Sequence, residues 1–309
     1  MGRRLTIGLP GVTAAAAGIL VLLCAAPGFG QSGKIAILYS ENSRTWFGLK
    51  FPDCATSADA GTYQGKSEFD RYYAGWMWVL NASGLTADSL TDAQITSGKL
   101  GNYRVLILSN AVSLGDDEIK AIHDWVQKGG RLLATFGSGY SDVILSASQL
   151  DEIQNLQDGG TNGLHNLWHD PLTKASSSQV MYPDNPGANL WVTQPKAGPT
   201  TEVGAGFLTY GALANILVQR PPGFNDAYAF LMLNGSLSDR PAVLSDKASK
   251  GLVVYFSVAP EYMVALVHKL PGIPKAACDY SVPDTSWWWT SAAQGTGLMM
   301  SAINYLLNN

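Results

Sequence analysis

The chain has 309 residues, of which 46% are hydrophobic and 14% charged, and its formal net charge at pH 7 is −4. This composition is typical of a packed globular protein and excludes a largely disordered one. Because the sequence has no run of Lys or Arg that could neutralise phosphates, we expect no nucleic-acid partner.

Residues 1–30 are typical of a secretory signal peptide. Two arginines precede an uncharged stretch whose apolar centre, 14–26, is shorter than the about 20 residues that a membrane span needs. Small residues before Gln31 suit cleavage at that point. We therefore expect a secreted or periplasmic protein with a single domain over residues 31–309. The alternative is an uncleaved signal, which would be the protein's one contact with a membrane.

Two cysteines, Cys54 and Cys278, remain once the signal is removed. In an oxidising compartment two thiols are expected to pair, so a disulfide between them is the prediction. Two separately buried thiols are the alternative.

Apolar runs alternate with helical periodicities in the first half of the chain. Aromatic residues recur at helical spacing from Phe69 to Leu80, and a second helix is predicted to begin at Gly115 and to end at Gly129-Gly130. Its three acidic residues, 116–118, are interpreted as complementing the helix dipole and not as a metal site. Predicted buried strands flank these helices: KIAILYS, RVLILSN and RLLATF. The alternation predicts a parallel sheet with right-handed crossovers.

The second half of the chain adds three predicted strands and a final helix. The helix is centred on residues 298–306, and DKASKG is predicted to form a tight turn between the last two strands. These strands are AYAFLML, PAVLSD and GLVVYFSV. Residues 170–206 are rich in Pro, Gly and Ser and show no period, which predicts an irregular excursion.

The order of these elements resembles the trimerisation domain of barrel-type bacterial beta-galactosidases. The resemblance covers most of residues 34–160 and 225–309. It is carried by KIAILYSENSRTWF, EFDRYYAGWMWVLNASGL, YRVLILSNAVSLGDDEIKAIHDWVQKGGRLLATFGSGYSD and RPAVLSDKASKGLVVYFSVAPEY. It implies a class I glutamine amidotransferase-like fold: α/β, a flavodoxin-like three-layer sandwich with a mostly parallel central sheet. It also implies a possible homo-oligomer.

Two departures from these families bear on activity. The chain is too short to add the (β/α)₈ barrel that holds a glycosidase's paired carboxylates, so glycosidase activity is not expected. Active amidotransferases carry a Cys on the elbow after the fourth strand and a later His-Pro-Glu run. Here the elbow reads Gly137-Ser138-Gly139 and the later run reads Ala259-Pro260-Glu261.

A serine hydroxyl needs an adjacent base to become nucleophilic, and Ala259 stands where the resemblance places that base. We therefore expect a non-catalytic module without a cofactor, which binds a carbohydrate or a protein partner. The alternative is a hydrolase that uses Ser138 with a distant base, such as His165 or His169. These two histidines have the i, i+4 spacing of zinc ligands, but Asn166 replaces the glutamate of H-E-x-x-H. A structural pair is therefore expected there, with a metal site as the weaker alternative.

Aromatic and polar residues also follow several predicted strands. The carboxyl ends of parallel strands converge on one edge, where ligands usually bind. Rings at that edge are candidates to stack on sugars, with charged neighbours as polar contacts; the alternative is that they pack in the core. The candidates are Arg44, Trp46, Tyr140, Glu261, Tyr262 and Trp288.

Overall fold

The computed structural model describes the part of the chain that follows the predicted signal, with gaps. The described residues are 34–50, 66–135, 138–139, 177–181, 189–192, 198–203, 206–208, 214–217, 227–233, 236–270 and 286–309. The signal, Cys54 and Cys278 lie outside these residues, so export and the disulfide stay predictions.

Eleven strands lie in the described part of the chain. They are β1 Ile35–Leu38, β2 Ala87–Leu90, β3 Val105–Leu108, β4 Arg131–Thr135, β5 Ser177–Met181, β6 Asn189–Val192, β7 Gly206–Leu208, β8 Ala214–Leu217, β9 Ala227–Leu233, β10 Ser236–Ala248 and β11 Gly251–Phe256. Nine of them form one sheet in the order β2-β1-β3-β4-β11-β10-β9-β6-β7, and β5 pairs with β8 separately.

The parallel part of the sheet runs from β2 to β11. All four neighbouring pairs between these strands are parallel, which gives the 2-1-3-4-5 order of flavodoxin-like sheets. The pairs beyond β11 are antiparallel and extend one side of the sheet. The predicted α/β, flavodoxin-like architecture is therefore confirmed.

Helices cover both faces of the sheet and make the fold a three-layer sandwich. They are α1 Glu41–Lys50, α2 Lys66–Ala82, α3 Asp92–Thr96, a 3-10 helix at Lys99–Asn102, α4 Asp116–Gln127, α5 Pro260–Val267 and α6 Ser286–Asn308. Successive strand residues point to opposite layers. Ile35 and Ile37 pack with the cluster formed by α2, α5 and α6, whereas Ala36 and Leu38 pack with α3 and α4.

Helix α4 has the ends that its sequence predicts. Gly115 is its N-cap residue, and the Gly115 N–H donates to Oε2 of Glu118 at 2.8 Å. At the other end, Gly129 adopts φ 116° and its N–H donates to the carbonyl of Val126 at 2.9 Å. This left-handed glycine is what stops the helix and turns the chain into β4.

Several strands differ from the prediction. Strand β2 was not expected, because ADSL is polar and partly exposed at the sheet edge. Residues 170–206, expected to be irregular, contain β5 and β6, and β6 joins the main sheet beside β9. Strand β10 begins at Ser236, earlier than expected. Among the described helices, none combines the length and apolarity needed to cross a bilayer.

Candidate functional site

The candidate site lies at the carboxyl ends of β3, β4 and β11, the edge at which open α/β sheets usually bind ligands. Ser109 follows β3, Ser138 follows β4, and Glu261 lies in the first turn of α5, after β11. All three residues have 0% exposure. The parallel strands thus bring the elbow and the late run of the sequence to one buried location.

The hydroxyl of Ser138 is bonded to backbone atoms. Its Oγ lies 2.7 Å from the carbonyl oxygen of Thr135 and 2.9 Å from that of Leu108, and it accepts a hydrogen bond from the N–H of Ala111 at 3.1 Å. A hydroxyl carries one proton, so the two carbonyl oxygens share it. The N–H of Gly139 also donates to the carbonyl of Ala111, at 2.8 Å. Ser138 therefore fastens the elbow to the loop after β3.

The carboxyl group of Glu261 lies beneath the elbow. Its Oε1 accepts hydrogen bonds from the Ser109 hydroxyl at 3.2 Å and from the Thr135 hydroxyl. In the part of the chain that the structure describes, its Oε2 has no hydrogen-bond partner, and neither has the indole N–H of Trp76. Complete burial raises the pKa of Glu261 to about 7, although the hydrogen bonds from the Thr135 and Ser109 hydroxyls act to lower it.

Ala259, which stands where the sequence resemblance places a base, is buried, with 1% exposure. It immediately precedes α5, which has Pro260 at its first position. A methyl group can neither accept nor donate a proton. The acid beside the elbow, Glu261, is bonded to the hydroxyls of Ser109 and Thr135. The arrangement therefore ties three elements together with buried hydrogen bonds.

The loop after β3 is strained at this location. Asn110 has a φ of 46°, and its backbone N–H donates to the Thr135 hydroxyl at 3.2 Å. A non-glycine residue in the left-handed region carries a conformational cost, which Asn tolerates better than most residues. The same Thr135 hydroxyl bonds Glu261, so the strain is held by the network that joins β3, β4 and α5.

Arg44, predicted as a polar contact for a ligand, is bonded to Asp70. Its Nε donates to Oδ1 of Asp70 at 3.0 Å, and its side chain keeps 28% exposure. The hydroxyl of Tyr39 donates to the same oxygen at 2.7 Å. Burial, aided by the hydrogen bond to Asp70, raises the pKa of Tyr39 to about 12. Arg44 is therefore positioned by α2, with part of its surface open to solvent.

The two aromatic candidates that the structure describes are packed in the interior. Trp46 and Tyr262 are 9% and 8% exposed and belong to the hydrophobic core. The Tyr262 ring lies 5.2 Å from that of Tyr72, centroid to centroid, and its phenolic oxygen accepts a hydrogen bond from Arg71 at 3.3 Å. Of the other two ring candidates, Tyr140 lies outside the described residues, as does the side chain of Trp288.

The metal alternative falls on residues that the structure does not describe, since His165 and His169 both lie outside it. Within the described ranges, no three His, Cys, Asp or Glu side chains are grouped so as to hold a metal ion.

Sequence reasoning missed Ser109 and Thr135 as members of the site. Both are polar residues at the carboxyl ends of apolar runs, which is the signal that could have identified them. In parallel sheets such ends meet at one edge, so polar residues there are expected to contact each other.

Comparison with known proteins yields matches among solved structures alone. No family model matches the sequence, and no curated protein does. A beta-galactosidase from Bacillus circulans sp. alkalophilus is similar over 77% of this chain and 30% of its own, with 16% identity and a TM-score of 0.50. The beta-galactosidase of Halorubrum lacusprofundi is similar over 78% of this chain and 30% of its own, with 17% identity and a TM-score of 0.50.

A third structure matches over nearly its whole length. A ThuA-like protein from Bacteroides uniformis ATCC 8492 is similar over 91% of this chain and 95% of its own, with 13% identity and a TM-score of 0.52. These matches agree with an α/β, flavodoxin-like fold. At these identities the likeness concerns the fold alone, and the chain spans 30% of the length of the two beta-galactosidases. The fold expected from the sequence resemblance is thereby supported.

Proposed function

We propose that this protein is an exported, non-catalytic domain of amidotransferase-like fold that acts as a binding or assembly module. Ser138 is the residue on which the proposal rests. It occupies the elbow where a nucleophile would stand, yet it has 0% exposure and its hydroxyl bonds the backbone of Leu108, Thr135 and Ala111. A nucleophile must present its oxygen to a substrate and have a base within reach.

The residues of the late run support the same proposal. Ala259 has no proton acceptor in its side chain, and Glu261 is bonded to the hydroxyls of Ser109 and Thr135 inside the fold. An acid held in this way stabilises the connection between strands and α5. It is not placed to orient an imidazole, because alanine occupies that position.

A fluorophosphonate probe tests whether Ser138 is a nucleophile. The purified protein and the Ser138→Ala variant are treated with the probe, and the modified peptides are identified by mass spectrometry. We expect no labelling at position 138. Labelling that is present in the parent protein and absent from the variant would establish the alternative, a hydrolase that uses Ser138.

Carbohydrate is the ligand class that we propose for the module. The support is the fold that it shares with part of two beta-galactosidases, together with the partly exposed Arg44 at the ligand-binding edge. A ligand that binds the folded state raises its melting temperature by mass action. A thermal-shift screen against mono- and oligosaccharides is therefore expected to give a concentration-dependent increase for at least one sugar.

Assembly is the alternative role, and light scattering distinguishes the two. A stable trimer at micromolar concentration, together with no response to sugars, would favour an assembly domain. A monomer that responds to a sugar would favour the binding module.

Export has its own tests. N-terminal sequencing of the protein recovered from periplasm or medium is expected to begin at Gln31. Membrane-bound protein that still begins at Met1 would contradict cleavage.

The disulfide is tested separately. Non-reducing peptide mapping is expected to find Cys54 joined to Cys278, and alkylation of both thiols without reductant would contradict the disulfide.

A further inference from the structure

An acidic cleft lies at the carboxyl edge of β1, β2 and β3, where α1, α3 and α4 begin. It has a volume of about 470 Å³, and its lining includes Asn42 and four carboxyl groups, those of Asp92, Asp116, Asp117 and Glu118. Two of the four, Asp92 and Glu118, accept hydrogen bonds at the starts of α1 and α4.

One oxygen of each of these two carboxyl groups caps a helix. Oδ2 of Asp92 accepts from the backbone N–H groups of Glu41 at 2.8 Å and Asn42 at 3.2 Å. Oε2 of Glu118 accepts from the N–H of Gly115 at 2.8 Å and from the side-chain amide of Asn42 at 2.9 Å. These bonds satisfy N–H groups that a helix leaves unpaired at its start. Asn42 thus joins both carboxyl groups.

The second oxygen of each group has no such bond. Oδ1 of Asp92 and Oε1 of Glu118 are buried and lack a hydrogen-bond donor within the described ranges of the chain. Glu118 as a whole is 3% exposed. Asn42 bonds both carboxyl groups and so holds them close together. Two charged oxygens buried there without a donor are strongly unfavourable, whereas one proton shared between them removes a charge and makes a hydrogen bond.

We propose that Asp92 and Glu118 share one proton, and that this proton joins α3 to α4 across the cleft. Glu118 donates through Oε1 and Asp92 accepts through Oδ1. Loss of the proton leaves two negative charges in contact and drives the two helix N-termini apart. The pair is therefore a pH-sensitive connection at the edge of the sheet where loops carry ligand sites.

The surroundings of the pair are acidic on two sides. Asp116 and Asp117 stand on α4 itself, and α1 carries Glu41 beside Arg44, whose guanidinium is bonded to Asp70. Burial is the main cause that raises the pKa of Glu118 to about 8; the N–H of Gly115 opposes it, while Asp92 adds to it by charge and by accepting the hydrogen bond. Because this value lies above the ordinary one, the proton stays on the folded protein at neutral pH and is lost as the pH rises through about 8.

A double-mutant cycle tests the shared proton. In Glu118→Gln or in Asp92→Asn, one amide N–H takes the place of the proton and needs no titration. In the double variant two NH₂ groups face each other and neither can accept. Melting temperatures are measured from about pH 5 to about pH 9 for the parent, both single variants and the double variant. Asp117→Asn, which removes a carboxyl group from the same helix turn, is the control.

We expect each single variant to match the parent near pH 5 and to melt above it near pH 9, while the double variant melts below either single variant throughout. Asp117→Asn is expected to keep the parent's loss of melting temperature between about pH 4.5 and about pH 8. The pH dependence that Glu261 contributes is common to all variants and cancels in the comparison.

Two results would overturn the proposal. In the first, the two single effects simply add in the double variant, and the loss of melting temperature between about pH 4.5 and about pH 8 persists in both single variants. In the second, CaCl₂ or MgCl₂ raises the melting temperature of the parent more than NaCl of equal ionic strength does, and either single substitution abolishes the difference. A cation, not a proton, would then lie between the oxygens. If the double variant does not fold, the two single variants decide the question, since neither should show the parent's fall in melting temperature between about pH 4.5 and about pH 8.

Discussion

At Gly75, helix α2 approaches α5 so closely that a β-carbon would lie 2.2 Å from the backbone oxygen of Glu261. That oxygen belongs to a helix in the core and cannot swing aside as a flexible side chain would. We expect Gly75→Ala to lower the free energy of unfolding by about 1 to 3 kcal/mol, the usual cost of overpacking. Urea denaturation followed by fluorescence measures the change.

Gly297 is the matched control, because it also lies inside a helix, α6, and a β-carbon there has no atom within 4 Å. Gly297→Ala is expected to raise the free energy of unfolding by about 0.5 to 1 kcal/mol, since alanine suits a helix better than glycine does. The close contact of α2 with α5 would be disproved if both substitutions were stabilising.

The buried acid Glu261 is expected to make the protein less stable as the pH rises. Burial raises its pKa from 4.5 to about 7, so the folded state holds a proton that the unfolded state has already released. Stability therefore falls between about pH 4.5 and about pH 7, by on the order of 3 kcal/mol at 1.4 kcal/mol per pKa unit. Glu261→Gln is expected to match the parent at the acidic end and to exceed it in stability above about pH 7.

Denaturant titrations at several pH values check this difference. Glu202→Gln is the control, because that carboxyl group is exposed and accepts hydrogen bonds at 2.9 Å from the side-chain amide of Asn304 on α6. It is expected to leave the pH profile unchanged. If the Glu261→Gln variant had the parent's pH profile, the pKa of Glu261 would be the same in the folded and unfolded states. Glu261 would then be ionised in the folded protein at neutral pH, contrary to this prediction.

The central strands could be predicted from the sequence because they are buried on both faces. Every residue of VLIL in β3 and of GLVVYF in β11 is buried. An unbroken apolar run of this kind is typical of a strand that helices cover on both faces of the sheet. Strand β2 reads ADSL, and its two central residues are exposed. Its place is set by backbone pairing with β1, which leaves no hydrophobic pattern in the sequence.

The site was predictable as a set of positions but not as a set of contacts. The elbow and the late run could be recognised because a strand precedes each of them. Whether Ser138 faces solvent or the Ala111 N–H depends on the path of the loop after β3, which turns at Asn110 through a left-handed conformation. The pairing of Asp92 with Glu118 was out of reach for a related reason, since it follows from the placement of the unpredicted β2.

Ser138→Ala is expected to destabilise the protein, because the serine acts as a structural residue. The substitution leaves the buried N–H of Ala111 without the Oγ that accepts its hydrogen bond at 3.1 Å. An unsatisfied buried donor costs about 1 to 3 kcal/mol. Thermal and urea unfolding measure the loss.

Ser97→Ala provides the comparison, since the Ser97 hydroxyl donates to the carbonyl of Gln94 at 3.0 Å in an exposed turn. Water replaces that bond, so we expect a change within about 0.5 kcal/mol. Equal effects of the two substitutions would show that the Ser138 hydroxyl does not hold the elbow.

Tyr262→Phe separates a structural role of this ring from a role in ligand binding. The phenolic oxygen accepts a hydrogen bond at 3.3 Å from Arg71, which is 1% exposed, and the guanidinium lies 5.5 Å from the ring centroid. Phenylalanine keeps the ring and removes the oxygen alone. Because the donor is charged and buried, we expect the free energy of unfolding to fall by about 1.5 to 3 kcal/mol.

Tyr103→Phe is the control. The Tyr103 hydroxyl donates to Asp88 at 2.9 Å on the surface, and removing it is expected to change the free energy of unfolding little. If Tyr262→Phe left stability unchanged but weakened the response to a sugar, Tyr262 would be a binding residue. Its ring would then be exposed to the ligand in the conformation that binds sugar, and not packed in the core.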